Sequence, residues 1–260
     1  MDIVKVQNSK YDEYEALLLE RDQLEREAGS IWTSYIKEFG QLMTDVFEEK
    51  IECIKRKKMI AYYQSAINRG GQIDQDVMQA YLDQEMAEYN AQLRRMIEDN
   101  KKSMESKASS PYTIRRCKEI YRRIARQIHP DTHPGTDQSE TLSELWSETV
   151  TAYHMNDLKR LSELEVLVNK AIRDLGNELE KIDIPNIEER IEELKEEIEE
   201  IKASEPYKFI YLLDDPEAVA KKKKGLTEEL ETYIKYRNDL DKVISDLLSN
   251  GGITISWRMN

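Results

Sequence analysis

The stretch Tyr121–Gly135, YRRIARQIHPDTHPG, joins a strongly basic segment to a short loop that holds two prolines. Apolar side chains recur in its first eight residues at steps of three and four, which is typical of a helix with one buried face. Pro130 disfavours helical geometry at the residue before it, so this helix is predicted to end at His129. The stretch therefore predicts a helix followed by a stiff polar turn.

The basic helix is predicted to begin near Ile114 and to form one arm of a helical hairpin. Its apolar stripe consists of Ile114, Cys117, Tyr121, Ile124 and Ile128. Its other faces carry one acidic residue, Glu119, against six basic ones: Arg115, Arg116, Lys118, Arg122, Arg123 and Arg126. The helix dipole favours one or two cations near the C-terminus, which does not account for six. Asp137 and Glu140 then predict a capping box for a second helix, whose apolar face holds Leu142, Leu145, Trp146, Thr149 and Tyr153.

This hairpin resembles the J-domain of DnaJ-type co-chaperones. The second helix of that family ends in tyrosine, a basic pair, an aliphatic residue, alanine, two variable residues, an aromatic or aliphatic residue and His-Pro-Asp; here Tyr121–Asp131 reads YRRIARQIHPD. The alanine–tyrosine pair of the family's third helix is matched by Ala152 and Tyr153, and Trp146 stands where phenylalanine is usual. The resemblance covers about residues 114–153, and the flanking helices look like those of bacterial coiled-coil proteins with a central J-like hairpin.

The resemblance implies that the hairpin docks on a DnaK-type ATPase and stimulates its ATP hydrolysis. The His-Pro-Asp tripeptide would contact the ATPase and couple docking to hydrolysis, while the basic helix would steer the encounter. The partner-binding residues that the resemblance implies are Tyr121, Arg122, Arg123, Arg126, His129, Pro130 and Asp131.

The sequence also departs from the family. The first helix with its tyrosine-x-x-leucine-glycine signature is missing before Ser109, so a coiled-coil helix is expected to cover that face. The lysine common after the tripeptide is Thr132, and no Gly/Phe-rich linker, zinc-binding cysteine repeat or β-rich substrate domain follows. A complete client-handling chaperone is therefore not predicted. The alternative interpretation is a structural coiled-coil scaffold whose degenerate J-like hairpin serves protein–protein interaction only.

Composition predicts an all-α protein of long antiparallel helical hairpins or coiled coils around the J-like helix-loop-helix. The 260 residues include 9 glycines and 6 prolines and are 35% charged, which favours long helices over a turn-rich fold. The formal net charge of −13 argues against nucleic-acid binding and against anionic membranes, since both need a cationic surface.

Three consecutive domains are expected: 1–106, 107–156 and 157–260. In the first, a helix running to about Ile67, a turn at 68–72 and a helix capped by Asp74 predict an antiparallel hairpin. In the third, a heptad series is expected to pair with a later helix that includes Leu226, Leu230, Tyr233, Leu240, Ile244 and Leu247, with Arg237 in the seam. The series consists of Ile184, Ile187, Ile191, Leu194, Ile198 and Ile201.

Two smaller features complete the architectural predictions. Residues 3–6 and 253–257 alternate apolar and polar side chains, so the two ends are expected to pair as a small β-ribbon. The segment between the two C-terminal helices carries Tyr207, Phe209 and Tyr211, which either pack locally or face a partner.

Enzymatic, metal and cofactor chemistry are not predicted. His129 and His133 flank Asp131, but the prolines after them prevent the helix that would align them as ligands. No nucleophile–base pair, phosphate-binding glycine loop or carboxylate dyad is recognisable. Cys53 and Cys117 match no metal or redox spacing, and no signal peptide or membrane span is recognisable, so a cytoplasmic protein is expected. Expected partners are a DnaK-type chaperone and other proteins that bind through the coiled coils, and homo-oligomerisation stays open.

Overall fold

The computed structural model describes residues 2–106, 109–175, 186–250 and 254–256. Within these ranges the chain is almost entirely helical, which confirms the all-α prediction. The helices are α1 (Asp2–Asn68), α2 (Gln75–Glu105), α3 (Pro111–Ile128), α4 (Gly135–Gln138), α5 (Glu140–His154), α6 (Leu158–Asp174), α7 (Ile187–Ala203), α8 (Phe209–Leu213) and α9 (Pro216–Asn250). The two short strands are β1 (Gln72–Asp74) and β2 (Thr254–Ser256).

The chain folds into two units, and each unit is built from two separate stretches of sequence. The first unit comprises residues 1–32 and 107–210, and the second comprises residues 33–106 and 211–260. This division differs from the three consecutive domains 1–106, 107–156 and 157–260 expected from the sequence. The reason lies in α1, which is long enough to contribute one part to each unit.

The hairpin of α3 and α5 lies in the core of the first unit, together with α6 and Leu19 of α1. Ser110 caps α3 by accepting the backbone N–H of Thr113 at 3.1 Å, and Pro111 occupies the first turn, where its missing N–H costs nothing. The buried residues of α3 are Cys117, Ile120, Tyr121, Ile124, Ala125 and Ile128, so the predicted stripe is confirmed except for the half-buried Ile114. Burial of each large apolar side chain stabilises the unit by about 1.5–3 kcal/mol.

The predicted cap of the second hairpin helix is wrong. Asp137 lies inside the short helix α4 instead of preceding α5. The capping residue is Ser139, whose hydroxyl accepts the backbone N–H of Leu142 at 3.4 Å. An extra helical turn after the prolines thus shifts the start of the long helix by two residues. The predicted cap of α6 is confirmed, because Asp157 accepts the N–H of Arg160 at 2.9 Å.

Helix α7 packs on α1 within the first unit, whereas the sequence predicted a later helix as its partner. Its buried residues Ile191 and Leu194 cluster with three apolar residues of α1: Tyr11, Tyr14 and Leu18. Two ion pairs give the direction, since Lys195 contacts Glu13 at 3.2 Å and Lys202 contacts Glu20 at 3.3 Å. The two helices therefore run parallel. The heptad side chains Ile191 and Leu194 therefore pack on the apolar stripe of α1, and Ile184 lies outside the described residues.

The second unit contains the predicted antiparallel hairpin of α1 and α2. Asp74 caps α2 by accepting the N–H groups of Asp76 and Val77 at 3.0 and 3.2 Å. The rings of Tyr62 and Tyr81 lie 5.7 Å apart near the turn. At the other end of the hairpin, Asn100 donates a hydrogen bond to the Thr44 hydroxyl at 2.7 Å.

Helix α9 runs parallel to the part of α1 that lies in the second unit. Arg237 contacts Glu49 at 2.7 Å, so the arginine predicted in the seam pairs with α1. Further along both helices, Arg56 contacts Asp241 at 2.6 Å. The aliphatic residues Ile244 and Leu247 pack against the cluster formed by α1, β1 and α2.

The predicted ribbon between the two ends of the chain is wrong. Residues 3–6 belong to α1, so their alternation does not make a strand. The C-terminal strand does form, but β2 pairs in parallel with β1, with Ile255 opposite Ile73. Residues 253 and 257 of the predicted strand lie outside the described part of the chain. The glycine pair at the α1–α2 turn, with φ of 109° at Gly70 and 76° at Gly71, leads directly into β1.

The aromatic residues between α7 and α9 were predicted either to pack locally or to face a partner, and they differ from one another in this respect. Phe209 stacks on Trp32 with ring centroids 6.1 Å apart, which is local packing within the first unit. Tyr211 is 72% exposed.

Candidate functional site: the His-Pro-Asp loop and its neighbours

The loop between α3 and α4, residues 129–134, is called the tip loop below. Its backbone is held by hydrogen bonds that converge on His129. The carbonyl of His129 accepts the N–H groups of Thr132 and His133 at 3.0 and 2.7 Å, and the hydroxyl of Thr132 at 3.2 Å. From α1, the Tyr11 hydroxyl donates to the carbonyl of Thr132 at 3.3 Å. The tip loop is therefore fixed by its own backbone and by α1.

The His129 ring is buried at the base of the tip loop. Its Nδ1 accepts the backbone N–H of Asp131 at 3.1 Å, so in the neutral imidazole the proton resides on Nε2. This Nε2 faces Oδ2 of Asp22, in α1, at 3.6 Å. The ring packs edge-on against Trp146 of α5 with centroids 4.6 Å apart. The first residue of the tripeptide thus points inward, and it orients the backbone of the third.

Asp22 is a buried carboxylate whose two oxygens have different partners. Oδ1 accepts hydrogen bonds from Arg21 Nη2 at 3.0 Å and Nε at 3.3 Å. Oδ2 accepts the Tyr121 hydroxyl at 2.6 Å and faces His129. Burial alone would raise the pKa of Asp22, but the facing His129 ring, the hydrogen bond from Tyr121 and the charge of Arg21 outweigh it, so the pKa lies below its ordinary value. The group is an ionised carboxylate within the first unit at neutral pH.

Tyr121 connects this carboxylate to the hairpin core. Its ring stacks on that of Tyr153 with centroids 4.0 Å apart and lies 5.7 Å from Trp146. Burial, and then the adjacent Asp22 carboxylate, raise the pKa of the Tyr121 hydroxyl well above its ordinary value. The hydroxyl is therefore a hydrogen-bond donor over the physiological pH range.

Arg21 lies among three carboxylates. Besides its hydrogen bonds to Asp22, its guanidinium lies 3.8 Å from Oδ2 of Asp131 in the tip loop. It also lies 3.7 Å from Oε2 of Glu197 in α7. The Asp131 side chain is 42% exposed, so the contact with Arg21 leaves a large part of that carboxylate open to solvent. Asp131 is the accessible member of the tripeptide, while Pro130 is half-buried.

The basic face of α3 is partly neutralised by neighbouring helices. Arg123 forms a two-point contact with Glu165 of α6 at 2.5 and 3.0 Å, and Arg126 contacts Glu15 of α1 at 2.8 Å. Exposed pairs of this kind contribute up to about 1 kcal/mol each and are weakened by salt. Arg122 lines a groove of about 360 Å³ between α1 and α3. Burial and the proximity of Arg122 lower the pKa of Lys118, one turn earlier.

Of the seven sequence-predicted site residues, Tyr121, His129 and Asp131 meet around Arg21 and Asp22, and Pro130 lies between the last two in the tip loop. Arg123 and Arg126 contact different helices, α6 and α1, and Arg122 lines the groove between α1 and α3 together with Arg126. Sequence reasoning missed Arg21 and Asp22, the α1 residues that join the site. A signal was present, because the two charges interrupt the apolar stripe of α1, but periodicity does not reveal which distant element they meet.

Neither histidine of the tip loop is arranged as a metal ligand. His129 Nδ1 accepts a backbone N–H, and His133 Nε2 lies 2.9 Å from the carbonyl oxygen of Arg126. In the described ranges no group of three or more His, Cys, Asp or Glu side chains could hold a metal ion. Over the same ranges, no helix is both long enough and apolar enough to cross a membrane.

Comparisons of this chain with protein-family models, with curated proteins and with solved structures found no match.

Proposed function

We propose that the hairpin of α3, the tip loop and α5 is a docking module for a DnaK-type ATPase. The protein then acts as a J-domain-like co-chaperone or adaptor that stimulates ATP hydrolysis by that partner. The observation that carries the proposal is the exposed carboxylate of Asp131 at the end of a loop with a fixed backbone. A group held in one place loses little conformational entropy when it docks.

The charge of α3 supports the same proposal. Arg123 and Arg126 are exposed and Arg122 is half-buried, all on the helix that leads to the tip loop. Clustered cations raise the rate of association with an acidic surface, and salt screens the effect. The resemblance to J-domains supplies the identity of the partner, since the basic helix and the tripeptide have the same order in that family.

A structural scaffold is the second candidate, and specific contacts favour it. His129 is buried against Trp146, and Arg123 and Arg126 already pair with glutamates of α6 and α1. Part of the surface that the resemblance assigns to a partner is therefore in use within the chain. In this case the hairpin serves only to hold helices together or to bind other coiled-coil proteins.

A single-turnover ATPase assay with the DnaK-type chaperone of the same cell separates the two candidates. At low salt, the wild-type protein is expected to accelerate hydrolysis, and Asp131→Asn is expected to abolish the acceleration without unfolding the hairpin. Asp137→Asn is the matched control, because it changes an exposed aspartate of α4 just beyond the tip loop. If the wild-type protein neither binds nor stimulates the chaperone at low salt, the co-chaperone proposal fails and the scaffold stands.

A further inference from the structure

Asp131 is connected to Asp22 by two routes, one through its backbone and one through its side chain. The backbone route runs through His129, whose Nδ1 accepts the Asp131 N–H at 3.1 Å and whose Nε2 faces Asp22 at 3.6 Å. The side-chain route runs through Arg21, which donates to Asp22 at 3.0 Å and lies 3.8 Å from the Asp131 carboxylate. Both routes start from one buried residue of α1.

The burial of Asp22 makes these contacts depend on one another. Only 8% of Asp22 is exposed, and a buried carboxylate is tolerated only when hydrogen bonds and an opposite charge replace the lost water. If Tyr121, His129 or Arg21 moved away, an oxygen of this carboxylate would lose a partner. A carboxylate that faces one nitrogen of an imidazole also selects the tautomer with a proton on that nitrogen. For His129 this is the Nε2–H form, which leaves Nδ1 free to accept the Asp131 N–H.

We propose that Asp22 is a positioning residue of the tip loop. It fixes the tautomer and the ring orientation of His129 and the location of Arg21, and through these two residues it orients Asp131. What Asp131 then contacts rests on the proposed function, whereas the positioning is a property of the chain alone. The N-terminal part of α1 thereby becomes a component of the docking module, although it lies about a hundred residues away in sequence.

The first arm of the test uses the full-length protein without a partner. The chain has three histidines, so ¹⁵N-histidine labelling gives three ring systems, and His129→Gln assigns one of them. In the wild-type protein we expect the Nε2–H tautomer at His129, a protected Asp131 amide and a single χ1 rotamer of Asp131. In Asp22→Asn we expect a mixture of tautomers and amide exchange at Asp131 faster by at least about fivefold, the factor that corresponds to one lost hydrogen bond.

Matched variants separate positioning from general damage. Glu48→Gln removes an exposed carboxylate from the same helix, and we expect all three signals to stay as in the wild type. Arg21→Gln cuts only the side-chain route, so it should average the χ1 rotamer of Asp131 and leave the His129 tautomer intact. If Asp22→Asn is folded by circular dichroism and leaves the tautomer and the amide exchange unchanged, the inference is overturned. If Asp22→Asn does not fold, Arg21→Gln decides, and an unchanged Asp131 rotamer overturns it.

The second arm adds the DnaK-type ATPase. Here Asp22→Asn is expected to raise the protein concentration needed for half-maximal stimulation by at least about fivefold, and Glu48→Gln to leave it unchanged. Stimulation by the wild type with no change in Asp22→Asn would overturn the inference and leave the proposed function standing. Absence of stimulation by the wild type would remove the proposed function, and the partner-free signals alone would then decide whether Asp22 positions the tip loop.

Discussion

The Tyr121 hydroxyl donates a hydrogen bond to Asp22 Oδ2 at 2.6 Å, and 99 residues separate the two in sequence. Both side chains are buried, and the tyrosine ring stacks on Tyr153 of the neighbouring helix. The tyrosine that a family resemblance assigns to a partner surface therefore has an internal role. It connects the apolar core of the hairpin to the polar groups beneath the tip loop.

Removal of the Asp22 carboxylate should destabilise the first unit. Asp22→Ala leaves the Tyr121 hydroxyl and the Arg21 guanidinium without their buried acceptor, and we expect the free energy of unfolding to fall by about 3 kcal/mol. Urea denaturation followed by Trp146 fluorescence, with Trp32 and Trp257 replaced by phenylalanine, measures it. Glu48→Ala, an exposed position of α1, should change the value by less than about 0.5 kcal/mol. Equal effects of the two substitutions would contradict the buried network.

The same carboxylate predicts a dependence of stability on acid. The pKa of Asp22 is depressed in the folded protein, so below about pH 4 the unfolded chain binds a proton that the folded chain does not. The stability that Asp22 contributes is therefore present above about pH 4 and is lost as the pH falls through the folded-state pKa. The difference in unfolding free energy between the wild type and Asp22→Asn should shrink from pH 6 to pH 2. A constant difference over that range would exclude the depressed pKa.

Two glycines of α1, Gly40 in the second unit and Gly29 in the first, offer a comparison that tests the packing around Gly40. A Cβ at Gly40 would clash with Asn100 Oδ1, so Gly40→Ala should force that side chain away and break its hydrogen bond to Thr44. Nothing lies within 4 Å of a Cβ placed at Gly29, so alanine there should stabilise the helix by about 0.8–1 kcal/mol through its higher helix propensity.

We expect Gly40→Ala to be less stable than Gly29→Ala by about 1–2 kcal/mol, since the lost hydrogen bond and the displaced amide offset the gain in propensity. Thermal unfolding of the two variants beside the wild type provides the comparison. Equal stabilisation by both alanines would mean that Asn100 does not pack on Gly40.

The basic face of α3 should act on the rate of association. Replacement of both Arg122 and Arg126 by alanine removes two charges next to the tip loop, and we expect association with a DnaK-type ATPase to slow roughly tenfold at low salt. Stopped-flow measurements at two salt concentrations should show the difference shrinking as salt is added. The control replaces Arg94 and Arg95, an exposed pair of α2, and should leave the rate close to that of the wild type. A similar loss in both double variants would point to net charge and not to a specific face.

Local patterns in the sequence predicted most of the helices and several of their ends. The caps at Asp74 and Asp157 follow from side chains that accept backbone N–H groups within three residues, so they depend on short-range geometry alone. The cap of α5 was wrong because the short helix α4 follows Pro134, and a proline tolerates helical geometry after it as readily as a turn.

The pairing of elements was harder to predict than the elements themselves. The heptad of α7 specifies an apolar stripe and a period, but many helices offer a matching stripe, and within the first unit it is α1 that contacts Ile191 and Leu194. The site has the same limitation. The tripeptide and the basic helix are contiguous in sequence, whereas Arg21 and Asp22 reach the tip loop only through the tertiary fold.

The parallel packing of α1 and α9 has a consequence for the order in which the chain can fold during synthesis. Arg56 and Asp241 meet across 185 residues, whereas Lys58 and Glu85 of the α1–α2 hairpin are 27 residues apart. At typical translation rates, the time between the synthesis of Arg56 and the synthesis of Asp241 is on the order of ten to forty seconds. The hairpin can close early in that interval, but the side of α1 that α9 covers stays exposed until it ends. A nascent chain in this state exposes an apolar face of α1. The yield of folded protein should therefore depend on how well the cell protects that face from aggregation until α9 emerges.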